Sequence, residues 1–95
     1  MVAYIIAQVD VTDIDQYKQY AARTPAVVAA HGGRFIARGG RTVVLEGEAD
    51  NRRVVVIEFP SLERAEAFYN SPEYQEAKAL RIGAADGRFI AVEGV

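Results

Sequence analysis

Residues 53–81 read RVVVIEFPSLERAEAFYNSPEYQEAKALR, and this stretch does more than any other to decide the fold. The β-branched residues before Glu58 predict a buried strand that ends at Phe59. Ser61 is a typical cap for the helix that follows. Pro72 is expected to open another helix as its first-turn residue. The stretch therefore predicts a strand and then a helix that is broken in two.

The N-terminal third predicts a strand followed by a helix. Residues 3–9 have the β-branched and aromatic composition of a strand. Thr12 and Asp15 have the spacing of a capping box, which predicts a helix start at about Asp13. The glycine pair at 32 and 33 is expected to end this helix, because glycine readily adopts the left-handed conformation that closes a helix.

Two further strands and an ambiguous glycine pair complete the pattern. Residues 34–38 predict the second strand and residues 88–92 the last. Gly39-Gly40 separates the second strand from residues 42–46, which are also extended in character. The glycines form either a two-residue hairpin or a bulge in one long bent strand, and we favour the bend. The order β-α-β-β-α-β predicts an α+β, ferredoxin-like antiparallel sheet with helices on one face.

Size and composition limit the function. The 95 residues form a single domain, 1–95, that buries about two thirds of its unfolded surface. A net charge of −2 removes the attraction that drives nonspecific nucleic-acid binding. The absence of Cys excludes a disulfide, a thiol nucleophile and a Cys-based zinc site. The apolar run at the start lacks a basic leader and is too short to span a bilayer, so we expect a cytoplasmic protein without a membrane partner.

The predicted strands are apolar on both faces. Residues 3–7, 43–45 and 54–57 show no alternation of apolar and polar side chains. A sheet with helices on one side is expected to alternate if its other side meets water. A second copy of the chain, packed sheet against sheet, is the simplest cover for that face. We therefore predict a homodimer.

Arg38 is the first candidate for a binding residue. Strand alternation predicts that Arg34 and Arg38 point to the same face of the second strand. A long charged side chain is seldom buried alone, so Arg38 is expected to meet Glu46, Glu58 or an anionic ligand. We favour a structural ion pair over a ligand, since such pairs also occupy strand ends. Four other arginines are expected simply to be solvated: Arg41, Arg52, Arg53 and Arg64.

Tyr74 and Arg81 are the second candidate pair. Their spacing places them on one face of the last helix, where they could anchor a carboxylate or enolate oxygen. The alternative is that the ring of Tyr74 packs in the core with its hydroxyl on a backbone carbonyl. Arg81 would then extend toward water at the helix C-terminus.

His31 is the only histidine. A single histidine could transfer protons or ligate a haem iron. Its position directly before two glycines favours a helix-end role instead, in which the imidazole bonds the last free carbonyls. A metal site needs several ligands at defined spacing. We therefore predict neither a bound metal nor a cofactor.

Four short motifs together resemble one family. They are Gly32-Gly33-Arg34-Phe35, Arg38-Gly39-Gly40, Glu58-Phe59-Pro60-Ser61 and Tyr69-Asn70-Ser71-Pro72-Glu73-Tyr74. From Tyr4 to Gly94 the chain resembles the small bacterial domain of unknown function called DUF1330. The resemblance implies a dimeric α/β barrel of the ferredoxin-like superfamily and leaves the activity open.

Two kinds of function agree with these residues. The first is a cofactor-free small-molecule site in the cleft of each protomer, where Arg38 and Arg81 would hold an anionic or carbonyl oxygen. Four side chains are candidates for moving protons: His31, Glu58, Tyr69 and Tyr74. Related barrel folds include cofactor-independent monooxygenases and lactone isomerases, which is an analogy of fold alone. The second is a noncatalytic dimer for binding or structure, in which the same residues are ion pairs and core hydroxyls.

Overall fold

The computed structural model describes residues 1–95 as four strands and three helices. In chain order they are β1 (Ala3–Val11), α1 (Ile14–Ala30), β2 (Arg34–Arg38), β3 (Arg53–Phe59), α2 (Leu62–Asn70), α3 (Pro72–Ala79) and β4 (Ala85–Glu93). The order is the predicted β-α-β-β-α-β, with the second helix divided into α2 and α3. None of the helices is long and apolar enough to cross a membrane.

The strands form one antiparallel sheet in the order β2-β3-β1-β4. Every second residue of β1 is buried: Ala3, Ile5, Ala7 and Val9. These buried side chains point toward the helices and form part of the core between the sheet and the helices. The alternate residues of β1 are partly exposed. The α+β, ferredoxin-like prediction is therefore confirmed.

The first helix starts where it was expected, but through a different contact. Asp13 is the N-cap, and its carboxylate accepts a hydrogen bond of 3.1 Å from the backbone N–H of Gln16. The hydroxyl of Thr12, the expected cap, donates instead to the carbonyl oxygen of Ala84 at 3.1 Å. The start of α1 is thereby tied to the segment that leads into β4.

The two short helices begin as the sequence predicts. The hydroxyl of Ser61 accepts a hydrogen bond of 3.1 Å from the backbone N–H of Arg64. Ser71 ends α2 and caps α3, where its hydroxyl accepts from the N–H of Tyr74 at 3.1 Å. Pro72 is the first residue of α3. This break in the helix places Tyr74 in the first turn of α3, with its ring in the core.

The glycine pair forms neither a hairpin nor a bend in one long strand, so the favoured prediction is wrong. β2 ends at Arg38, Gly39 has a left-handed φ of 69°, and no strand forms over residues 40–52. A strand needs a neighbour for its backbone hydrogen bonds, and β3 pairs with β2 only as far as Arg38 and Val55. We call residues 40–52 the arm.

A bulge lies earlier, within β2, where the extra residue Ile36 interrupts the register with β3. Arg34 pairs with Glu58 before the bulge, and Arg38 pairs with Val55 after it. Glu58 and Val55 lie on opposite faces of β3, because side chains alternate along a strand. The bulge therefore turns Arg34 and Arg38 to opposite faces of the sheet, and the prediction that they share a face is wrong.

Apolar side chains cover both faces of the sheet. On the helix side they form a core of 14 buried residues. The opposite face, which we call the outer face, carries partly exposed apolar side chains: Ile6, Val54, Val56, Ile90 and Val92. The expectation of strands that are apolar on both faces is thus confirmed for β1 and β3. Residues 43–45 lie in the arm instead.

Candidate functional site

Two buried tyrosines meet in the core between helices. The hydroxyl oxygens of Tyr20 in α1 and Tyr74 in α3 lie 2.9 Å apart. One hydroxyl donates to the other, and the accepting hydroxyl keeps its own proton for a further hydrogen bond. The ring of Tyr74 lies in the core, which agrees with the second of the two roles that the sequence analysis gives this residue. Its hydroxyl partner is Tyr20, however, and not a backbone carbonyl.

The environment of this phenol pair decides its chemistry. Burial raises the pKa of Tyr20, and the neighbouring Tyr74 raises that pKa further. A phenol with a raised pKa keeps its proton at neutral pH. Tyr20 can therefore donate a hydrogen bond but does not act as a base.

Arg81 lies against the same pair from the side of β4. The residue is only 7% exposed, and its guanidinium carbon lies 5.4 Å from the centre of the Tyr20 ring and 4.7 Å from that of Phe89. Burial lowers the pKa of Arg81, but its interactions with the hydroxyls of Tyr74 and Tyr20 outweigh this effect and raise it. Its Nε is buried without a hydrogen-bond partner. Arg81 is thus a buried cation and does not extend into water.

A small cavity lies between the sheet and α1, and we call it the inner cavity. Its volume of about 30 Å³ is room for about two water molecules. The wall is mostly apolar, and its polar groups come from six residues: Tyr17, Tyr20, Thr24, Arg38, Arg53 and Tyr74. No carboxylate and no imidazole lines it. The inner cavity therefore offers hydrogen-bond donors and positive charge to a ligand.

Arg38 reaches the inner cavity from the end of β2. Its Nη2 donates to the carbonyl oxygen of Ala21 at 2.6 Å and lies 3.4 Å from the hydroxyl oxygen of Thr24. Its guanidinium carbon is 4.4 Å from the centre of the Phe35 ring. The expected ion pair with a carboxylate does not form: Arg38 pairs with neither Glu46 nor Glu58. The bulge turns Arg38 to the helix side and leaves Glu58 on the outer face.

Arg53 is a member of this site that the sequence interpretation missed. It is partly buried at the start of β3, its Nε has no hydrogen-bond partner, and its guanidinium lies 5.7 Å from the centre of the Tyr17 ring. The prediction that it is simply solvated is wrong. Strand alternation gave the signal, because Arg53 has the same parity as the buried residues Val55 and Ile57.

A second, larger depression lies between the helices and β4, and we call it the outer groove. Its volume is about 400 Å³. Its polar lining residues include Tyr69, Lys78 and Arg81, and Phe89 lines both the groove and the inner cavity. The ammonium nitrogen of Lys78 lies 5.2 Å from the centre of the Tyr69 ring. The predicted site residues are therefore divided between two spaces, with Arg38 and Tyr74 in one and Tyr69 and Arg81 in the other.

Two of the proton-transfer candidates line neither space. The Nδ1 of His31 lies 3.0 Å from the carbonyl oxygen of Val27, which agrees with the helix-end role that the sequence favours. The ring of His31 meets that of Phe68 edge to face at 5.9 Å. Glu58 lies on the outer face, where its carboxylate accepts a hydrogen bond of 3.0 Å from Nε of Arg34. Both residues therefore contact structural partners, and neither contributes a group to the inner cavity.

The chemistry of the inner cavity follows from this arrangement. Two guanidinium groups and a hydrogen-bonded phenol pair surround an apolar space, so the cavity suits an anionic or carbonyl oxygen attached to an apolar body. Its lining contains no carboxylate and no imidazole, the side chains that most often act as a general base. No cluster of three His, Asp or Glu side chains in the chain is placed to hold a metal ion.

The fold and the motifs identify the class of protein. The chain is a ferredoxin-like α+β domain, and its residues 2–95 match the family model described as Domain of unknown function (DUF1330). The chain therefore belongs to the DUF1330 family. A comparison with the curated proteins found no match.

Solved structures support the fold. A protein of unknown function from Rhodopseudomonas palustris has a TM-score of 0.79 and 21% identity, over 99% of this chain and 82% of that one. SnoaB from Streptomyces nogalater, a cofactor-independent oxygenase, has a TM-score of 0.70 and 15% identity, over 99% of this chain and 93% of that one. A dimeric ferredoxin-like protein of unknown function from Jannaschia sp. CCS1 has a TM-score of 0.73 and 11% identity, over 99% and 100% of the two chains. At these identities the likeness is one of fold.

Proposed function

We propose that the protein is a homodimer that binds a small molecule in the inner cavity of each protomer. The ligand carries an anionic or carbonyl oxygen on an apolar body. One observation carries this proposal: the cavity gathers two arginines and a buried phenol pair, but no carboxylate lines it to neutralise them. Arg53 is partly buried and its Nε has no hydrogen-bond partner, and a charge that is partly removed from water is stabilised when an anion pairs with it.

The ligand oxygen is expected to lie between the phenol pair and the arginines. Tyr20 or Tyr74 has one hydroxyl proton left to donate, and Arg38 and Arg53 supply guanidinium N–H groups from the strand ends. Arg81 does not line the inner cavity, but its positive charge lies close to both phenols and adds to the positive potential at the ligand oxygen. Such donors would stabilise negative charge that develops on a bound oxygen.

Catalysis without a cofactor is the second part of the proposal. SnoaB, which shares the fold, is a cofactor-independent oxygenase. Because no carboxylate or imidazole lines the inner cavity, a reaction there would need a ligand that arrives as an anion or that loses its proton to water. Tyr69, His31 and Glu58 do not line the cavity, so we assign the binding role to Arg38, with Tyr20 or Tyr74 as the hydroxyl donor.

The proposed dimer forms through the outer face. Five partly exposed apolar side chains lie there on adjoining strands: Ile6, Val54, Val56, Ile90 and Val92. A small domain gains stability when a second copy buries such a face. The Jannaschia protein and similar ferredoxin-like proteins from Thermobifida fusca and Bacteroides fragilis are described as dimeric.

The alternative is a noncatalytic dimer without a ligand site. The volume of the inner cavity favours it, because a space of about 30 Å³ admits a ligand only if the walls move apart. In that case Arg38 and the phenol pair would only stabilise the fold.

A thermal-shift screen with small carboxylates, phenols and lactones tests the proposal. A ligand at 100 times its dissociation constant should stabilise the fold by about 2.7 kcal/mol. We expect a compound that stabilises the wild type and Arg34→Ala but not Arg38→Ala. The two variants remove the same side chain from opposite faces of one strand, so Arg34→Ala is a matched control. A compound that stabilises both variants equally would place its site elsewhere, and a screen without any hit would favour the noncatalytic dimer.

A further inference from the structure

The arm exposes three apolar side chains in a row. Val43, Val44 and Leu45 are 67%, 43% and 94% exposed. They lie within residues 42–46, whose β-branched composition is typical of a strand. Within one chain this segment has no strand to pair with. A segment with the sequence of a strand and no partner inside the chain indicates a partner outside it.

The free edge of β4 is a surface that could receive such a strand. β4 is the last strand in the sheet order, so one side of its nine residues has no ladder partner. A long unpaired edge pairs readily with a strand from another chain. The arm joins β2 to β3, and β4 lies at the opposite edge of the sheet from β2. Three strand spacings of about 4.8 Å separate these two edges. The arm of a second copy is therefore a better candidate to pair with β4 than the arm of the same chain.

The two surfaces beside β4 match the two faces of the arm. Strand alternation would place Val43 and Leu45 on one face, and Val44 and Glu46 on the other. Next to β4, the outer face presents Ile90 and Val92, each 45% exposed, which are suitable neighbours for the apolar pair. The opposite side of β4 borders the outer groove with its mixed polar and apolar wall.

Charge favours the same orientation. The outer groove contains Lys78 and Arg81, and Nε of Arg81 is buried without a hydrogen-bond partner. Glu46 would enter this groove if Leu45 faced the outer face. One carboxylate, that of Glu66, already lies in the groove, so the groove keeps a net positive charge that an arm carboxylate can neutralise.

We propose that the arm of one protomer adds residues 42–46 as a strand to the free edge of β4 in a second copy. Val43 and Leu45 then extend the apolar outer face, and Glu46 enters the outer groove beside Arg81 and Lys78. A two-fold axis that runs along the strands brings the β2 edge of one sheet over the β4 edge of the other, so both arms can pair at once. The groove of each protomer is thereby completed by its partner.

The proposal rests on the dimer under Proposed function, and cross-linking tests it separately. Because the chain has no Cys, introduced cysteines are the only thiols. Leu45→Cys and Ile90→Cys variants are co-expressed, one of them with a mass tag, and treated with a short bismaleimide. We expect a cross-linked product that contains one tagged and one untagged chain. Glu73→Cys on the exposed side of α3 replaces Ile90→Cys in the control, which should give only background.

Three other outcomes would overturn the proposal, and the measurements distinguish them from one another. A dimer in light scattering with cross-linking no higher than the Glu73→Cys control would overturn the arm exchange and leave the dimer standing. A monomer in light scattering would overturn both. A chain that carries Leu45→Cys and Ile90→Cys together and yields a cross-linked product of monomer size would identify its own β4 as the partner of the arm.

A second variant tests the energetic role of the arm. Val43→Ser with Leu45→Ser removes exposed side chains, so the fold of a single chain should not change. If the arm buries them against a second copy, the dissociation constant of the dimer should rise about tenfold or more. Val95→Ser, at another exposed apolar residue, is the control that should leave the constant unchanged. An unchanged constant in the arm variant would overturn the proposal.

Discussion

The hydroxyl oxygens of Tyr20 and Tyr74 lie 2.9 Å apart, although 54 positions separate the two residues in the chain. This contact joins α1 to α3 beside the inner cavity. It also supplies the one neutral donor pair of the candidate site, and Arg81 lies over the Tyr20 ring and interacts with both hydroxyls. The contact therefore connects the stability of the helical layer with the proposed binding function.

Removal of one hydroxyl from the pair should destabilise the fold. Tyr74→Phe leaves the buried hydroxyl of Tyr20 without its partner, which should lower the free energy of unfolding by about 1–3 kcal/mol in urea denaturation. Tyr20→Phe combined with Tyr74→Phe removes both polar groups and should cost less than the sum of the single variants. Tyr69→Phe, in the partly exposed outer groove, is the control. Additive losses would show that the two hydroxyls do not interact.

The two adjacent glycines should differ sharply in their tolerance of a side chain. A Cβ on Gly39 would clash with the guanidinium of Arg53, and the φ of 69° is unfavourable for any residue with a Cβ. Gly39→Ala should therefore lower the free energy of unfolding by about 1–3 kcal/mol in urea denaturation. Nothing lies within 4 Å of a Cβ on Gly40, so Gly40→Ala should have little effect. Equal effects would argue against the left-handed conformation of Gly39.

Alkaline pH should weaken the fold through Tyr20. The pKa of Tyr20 is raised in the folded protein, while in the unfolded chain it has its ordinary value of about 10. Below that value both states keep the proton, and the stabilisation is complete. Above it the unfolded state loses its proton first, so the free energy of unfolding should fall as the pH rises. Tyr20→Phe should show a shallower decline than Tyr4→Phe in urea titrations above pH 10, and parallel curves would contradict the raised pKa.

A charge on the outer face should separate the proposed dimer. Val56 lies there between Ile6 and Ala37, so in the proposed dimer a lysine at this position would be buried against the second copy. We expect Val56→Lys to shift the mass in light scattering from dimer to monomer while the far-UV circular dichroism stays native. Ala67→Lys on the exposed side of α2 should remain a dimer. A Val56→Lys variant that stays dimeric would assign the interface to another surface.

The sequence predicts the order of elements well, because each signal is local. Ser61, Pro72 and the β-branched run of β3 act within a few residues of themselves, and the structure confirms all three. Strand alternation also contained the information that Arg53 faces the core. That residue was missed only because a charged side chain at a strand start is usually solvated.

The site depends on two features that the local sequence does not mark. The bulge at Ile36 turns Arg38 to the helix side and separates it from Glu58, and no glycine signals it. The contact between Tyr20 and Tyr74 arises only when α1 and α3 pack together. The arm shows the converse case, in which residues 42–46 have the composition of a strand but find no partner in one chain.

The most direct test of the central claim is NMR spectroscopy with tyrosine Cζ labelling during titration of a compound from the thermal-shift screen. The chain has five tyrosines, one of which, Tyr4, points away from the inner cavity on β1. We predict that binding shifts the signals of Tyr20 and Tyr74 and leaves that of Tyr4 unchanged. Saturable binding that leaves the signals of Tyr20 and Tyr74 unchanged would contradict a ligand site in the inner cavity.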